Sequence, residues 1–356
     1  MMTSRALRAV AIAILLCPGC RGAESGRTHG DGKEPQQLVP TAAPSMGCAE
    51  CVGEGLLSAI GVALASDGSV FVLNEHEPFV RLFGPAGALV RAMGERGEGP
   101  GQLGTPARIY ADNEDVLIVH DYAPPRFVRF SIDGAFLGTT PHPPTVPTST
   151  TLDRSSDVIC MMIFELSNRE PRVQSVPLDG SEPSIALAGG ELPKGPADDV
   201  ATAAQFAVAS SPDGELAVAN VLTYRIRVYG RKADLVAEFG RDLPRPVKSG
   251  AELREERGLR SRLGRGEPDP QKQHFGSFGM RYDDRGQLWI LSERGERTAA
   301  VFDVFGADGT FLGSRSIQAE VLRRTQAFDV RGGILAAIVL DATGNTRVRT
   351  WRVDVE

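Results

Sequence analysis

Two cysteines three positions apart, Cys48 and Cys51, have a spacing that by itself permits chemistry. Thiols so placed can bond to each other, exchange disulfides or share a metal. In an oxidising compartment such a pair is expected to close as a local disulfide, with a free or redox-active pair as the alternative. Val52 follows Cys51 where haem attachment needs a His, and zinc would need two further ligands that no second cysteine pair supplies. Cys160, inside an apolar run, reads as a buried inert thiol. A second set of polar residues follows short apolar runs: Asn74 and Glu75, His120 and Asp121, Asn220, Ser292 and Glu293, and Asp341. Glu75, Asp121, Asn220 and Asp341 are hard oxygen donors suited to a cation such as Ca²⁺. The plainer alternative is that these residues cap turns and face solvent. Of the five His only His76 and His120 occupy such positions, so a three-His zinc site is not expected. No Gly-x-Ser-x-Gly elbow marks a nucleophile.

What would position these residues is a repeat. One copy runs from Ile60 through an Asp67-Gly68 turn to Asn74, continues at Phe79 to Phe83, and ends at Leu89 to Met93. The next has Ala107 to Tyr110, Val116 to His120, Arg126 to Phe130, and Asp133-Gly134 leading into Ala135 to Gly138. Four further copies follow, marked by Asp179-Gly180, Asp213-Gly214, Arg285-Gly286 with Asp308-Gly309, and Gly332-Gly333. Each copy reads as four short strands of period 2 joined by turns that permit hairpins, at about 48 residues per copy. Four-stranded antiparallel units at that period are expected to stack as the blades of an all-β, six-bladed propeller, because one such sheet cannot bury both of its faces. In that ring the polar strand ends converge near one mouth of the central channel.

Gly94 to Leu103, followed by Pro106, resembles the blade-to-blade connection of NHL-repeat and related TolB-like bacterial six-bladed propellers. The strands Val80 to Phe83, Phe127 to Phe130 and Tyr224 to Tyr229 fit the same pattern over residues 55–356. The Gly-rich connection lacks the Gly-Lys-Ser/Thr ending of a phosphate loop and opens no helix. Enzymes that resemble this group, peptidyl-hydroxyglycine lyases and gluconolactonase-type hydrolases, hold a divalent metal at the channel mouth. The resemblance therefore implies a candidate ligand or metal site at Glu75, His120, Asp121, Asn220, Glu293 and Asp341.

The composition agrees with a turn-rich domain. Gly and Pro make up about 18% of the 356 residues against an average near 12%. The net charge of −6, from 45 acidic and 39 basic residues, lacks the basic excess that nucleic acid requires. Residues 1–20 have the layout of an export signal: Arg5 and Arg8, an apolar run from Ala9 to Leu16, then Gly19-Cys20. Gly before Cys resembles the bacterial lipoprotein signal, which implies lipidation at Cys20, with ordinary cleavage and release as the alternative. Residues 21–54 are expected to form a flexible, non-packing tether and a lead-in containing Cys48 and Cys51. An insert at 246–274 interrupts the propeller between the fourth and fifth copies. Ser249 and Glu252 have capping-box spacing, which predicts a helix beginning near Gly250 that is either a solvated excursion or a flap at one mouth. The expected function is that of an exported, lipid-anchored monomer binding a protein, peptide or glycan at the cell envelope, touching the membrane only through its anchor and needing no cofactor. A metal-dependent hydrolase or lyase, using Ca²⁺ or Zn²⁺ at the mouth, is the alternative.

Overall fold

The computed structural model describes residues 27–29, 35–38, 58–145, 147–165, 170–188, 191–193, 205–262, 266–295, 298–323 and 325–353. Cys20, Cys48 and Cys51 lie outside the described residues. Two short strands, β1 (Arg27–His29) and β2 (Gln36–Gln37), precede the repeats. The first blade is β3 (Ala59–Leu64), β4 (Val70–Asn74), β5 (Val80–Phe83) and β6 (Leu89–Met93). The second is β7 (Pro106–Ala111), β8 (Leu117–Tyr122), β9 (Pro125–Phe130) and β10 (Phe136–Pro141). The third is β11 (Ser149–Asp153), β12 (Val158–Glu165), β13 (Glu170–Pro177) and β14 (Ser184–Leu187). The fourth is β15 (Phe206–Ser210), β16 (Leu216–Asn220), β17 (Arg225–Tyr229) and β18 (Leu235–Arg241). After the helix α1 (Gly250–Arg262), the fifth is β19 (Phe275–Tyr282), β20 (Leu288–Ser292), β21 (Ala300–Phe305) and β22 (Phe311–Ile317). The sixth is β23 (Glu320–Val321), β24 (Phe328–Arg331), β25 (Ile334–Leu340) and β26 (Thr346–Arg352). The six-bladed all-β propeller expected from the repeat is the fold observed.

Within the first five blades the repeat strands pair in chain order and antiparallel. In the sixth, β23 and β24 both pair with β25, so the innermost strand is interrupted. The Asp-Gly turns adopt the left-handed conformation that hairpins need, with φ of 86° at Gly68 and 80° at Gly134. Each pair of neighbouring blades shares one apolar cluster: Phe71 and Phe79 meet Ile109 and Val119 between blades one and two, and Val62 and Leu64 meet Ile338 and Val348 between blades one and six. Full burial of such side chains contributes about 1.5–3 kcal/mol each. The ring closes through those contacts and through Leu64 N–H donating to Asp329 Oδ2 at 2.8 Å.

One expectation is corrected. The segment read as a tether that cannot pack contains β1, which adds in parallel to β18, and β2, which adds in parallel to β22. Leu38 follows, 3% exposed, inside the cluster around Trp289, with its N–H on Ser316 O at 2.7 Å. The pairing uses main-chain groups, so a polar sequence can cover an open strand edge without any apolar pattern.

Candidate functional site

The second strand of each blade ends at one face of the ring, and the polar residues read as candidate ligands sit there. Among the described residues they do not gather: no group of three or more His, Cys, Asp or Glu could hold a metal ion. Asp121, fully buried, accepts from Gly104 N at 2.9 Å, Thr105 N at 2.6 Å and Arg126 Nε at 3.2 Å, which pins the Gly-rich connection to the second blade. Asn220 Oδ1 accepts from Leu222 N and Thr223 N and caps its own turn. Asp341 does the same for Thr343 and Asn345, and the Thr343 hydroxyl bond holds its carboxyl below the usual range. Glu75 is exposed. Glu293 lies 3.5 Å from Arg323, and burial pushes its carboxyl up.

His120 is fully buried and has a partner the spacing did not reveal. Its Nε2 lies 2.8 Å from His142 Nε2, whose Nδ1 in turn lies 2.7 Å from Pro143 O. With His142 Nδ1–H donating to that carbonyl, His142 Nε2 accepts from His120 Nε2–H, and both rings are neutral. Burial, with the neighbouring His142 second, brings the His120 pKa down to about 2. His142 stands in a connecting segment 22 residues away, and nothing in a local motif links the two.

Side chains link the inner strands across the middle of the ring. Gln326 Oε1 accepts from Ile109 N at 3.0 Å and its amide also bonds Ile109 O, tying blade six to blade two. Ser149 Oγ donates to Ser277 O at 2.6 Å and accepts from Val208 N, tying blades three, four and five. Arg108 of β7 lies over the ring of Phe278 of β19, 3.8 Å from its centroid.

The space on this face lies under the insert. Ser249 and Glu252 form the expected capping box, Ser249 N donating to Glu252 Oε2 at 2.7 Å and Glu252 N to Ser249 Oγ at 3.3 Å. Yet α1 buries no residue against the ring. Ion pairs hold it: Lys248 to Glu256 and Lys272 to Glu252, both at 2.6 Å. The Lys272 contact brings the Glu252 carboxyl down to about 2. Between helix and ring is a cavity of about 890 Å³, bounded by Gln205, Leu222 and Glu293 on the blades and by Arg254, Glu255 and Leu259 on the helix. Among the described residues, buried amide atoms of Asn74 and Asn220, at second-strand ends, and the His274 ring Nδ1, just before β19, have no hydrogen-bond partner.

No family model matches the chain, and no curated protein does. Solved structures match it in fold. A member of the DUF4221 family from Bacteroides vulgatus superposes with a TM-score of 0.57 at 12% identity, over 88% of this chain and 97% of that one. A Bacteroides fragilis protein described as exported gives 0.53 at 11%, over 93% and 99%. A gluconolactonase from Xanthomonas campestris gives 0.50 at 14%, over 90% and 99%. At such identities the likeness is one of fold.

Proposed function

We propose that this chain is an exported, lipid-anchored propeller that acts as a binding module at the cell envelope, taking an extended peptide between α1 and the ring. The observation that carries this reading is a helix with no buried residue, held by ion pairs above a cavity of about 890 Å³. That volume is in the range of ligand sites. Its lining mixes Arg245, Lys248 and Lys272 with Glu255, Asp269 and Glu293, which suits a ligand carrying both charges and backbone amides better than an apolar cofactor. Export rests on the layout of residues 1–20, and a fold relative described as exported lends support.

The test is selection from a randomised peptide library on the purified protein, followed by titration of the selected peptides into it. Peptides should bind at one site per chain, and Lys248→Glu with Lys272→Glu should weaken them at least about ten-fold. Selection of no peptide, or binding by glycans alone, would overturn the reading. Lipid anchoring is tested separately: Cys20→Ser should leave the membrane fraction, and persistence there would refute the anchor.

A further inference from the structure

A second cavity lies on the ring axis at the opposite face, where the inner strands end. It has a volume of about 280 Å³, and all six blades contribute to its wall. Three arginines line it: Arg154, following β11, Arg281 of β19 and Arg331 of β24. Two of them are answered. Arg154 lies 3.6 Å from Asp329 and donates through Nε to Ala111 O at 2.9 Å. Arg331 pairs with Asp115 at 3.0 Å and donates to Leu64 O and Asp112 O.

Arg281 is not. It is 8% exposed, and its hydrogen bond is from Nη1 to its neighbour's carbonyl, Met280 O, at 2.6 Å. Its guanidinium carbon lies 5.9 Å from the centroid of the Phe328 ring, no hydrogen bond from its Nε or Nη2 is found among the described residues, and the residue lines the cavity. Two carboxylates, Asp284 and Asp329, line this cavity beside the arginines, and Asp329 already accepts from Leu64 N and Val330 N and faces Arg154. Burial pushes the Arg281 pKa down, and the Asp329 carboxylate, the nearest opposite charge acting on it, only partly offsets that cost. Its free edge is a planar fork of two donors, which matches two oxygens of one anion.

We propose that this axial cavity binds a small oxyanion, held by the Arg281 fork with Arg154 as the second cation. The shared chemistry is that of a carboxylate or a tetrahedral oxyanion. The site is on the face opposite α1 and uses none of the residues assigned to peptide binding, so either reading can fail without the other.

The experiment is calorimetric titration of the purified protein with acetate, citrate, inorganic phosphate and sulfate in separate runs, with ionic strength held constant by chloride. At least one anion should bind saturably at one site per chain and raise Tm. A response to acetate or citrate alone identifies a carboxylate site, and a response to phosphate or sulfate alone a tetrahedral one. Arg281→Met should weaken binding at least about ten-fold, and Arg154→Gln by a smaller factor. If Arg281→Met does not fold, Arg281→Lys serves, keeping the charge and losing the fork, and should still weaken binding. Absence of saturable binding by all four anions, or binding unchanged in the folded Arg281 variant, would overturn the proposal.

Discussion

Arg241 at the end of β18 and Asp303 in β21 form an ion pair at 2.8 Å with both side chains fully buried, joining the outer strand of the fourth blade to the third strand of the fifth. Asp303 also accepts from Tyr224 Oη, Arg294 Nη2 and Ser314 Oγ, so its oxygens meet four donors. Removing it leaves Arg241 enclosed without its counter-charge. Asp303→Ala should therefore lower the unfolding free energy by about 3–5 kcal/mol in chemical denaturation, whereas a loss under about 1 kcal/mol would show that the pair is not the joint between these blades.

Three buried imidazoles make stability depend on pH. Burial brings His120 to about 2 and His274 to about 4, and it lowers His142. In the unfolded chain each takes up its proton near 6.5, so below that pH the unfolded state binds protons the folded state refuses. Stability is complete above about pH 6.5 and falls on acidification, by at most about 1.4 kcal/mol per pH unit for each His. Burial raises the Glu293 and Asp283 carboxyls, which acts in the opposite direction as they take up protons. The His share is thus read by difference: in urea denaturation at pH 7 and pH 5, His274→Gln should show a flatter dependence than the parent protein.

The insert should detach without unfolding the ring. Glu252, Glu256, Lys248 and Lys272 are partly exposed, and such pairs contribute about 0–1 kcal/mol each. Lys248→Ala with Lys272→Ala should raise amide hydrogen exchange across residues 250–262 and leave β15 to β22 protected. Equal protection of α1 in the variant would mean that something besides these pairs holds it.

At Gly104 the Gly-rich connection has no room for a side chain. A Cβ at Gly104 would stand 1.8 Å from Ala123 O, so Gly104→Ala forces backbone to move where Asp121 grips it. Both Gly104→Ala and Asp121→Ala should lower Tm, the latter through loss of three hydrogen bonds to a buried carboxylate, about 3 kcal/mol or more. Because Asp121 is engaged in this grip, added Ca²⁺ or Zn²⁺ should leave the Tm of the parent protein unchanged; a metal-dependent rise would revive the hydrolase or lyase alternative.

The propeller could be read from the sequence because its signals are local: period-2 runs such as Val70 to Asn74 and turn glycines such as Gly68 and Gly134 recur at one spacing. The capping box at Ser249 and Glu252 was legible for the same reason. Strands such as β11, β23, β1 and β2 carry no such mark in their sequence. Their partners are main-chain groups of distant strands, which leave no pattern in their own side chains. At the mouth the residue types were found but not their arrangement. Asp121 is a clamp and Asp341 a turn cap, while the His120–His142 pair and the Arg281 cavity arise only when blades far apart in sequence are brought together.

The central claim is that the space under α1 is where the ligand sits. Its most direct test is calorimetric titration of a library-selected peptide into the parent protein and into a variant in which residues 249–267 are replaced by a Gly-Ser linker of equal length. The variant should retain the far-ultraviolet spectrum of an all-β protein and bind the peptide at least about ten-fold more weakly; equal affinity in the two proteins would contradict the account.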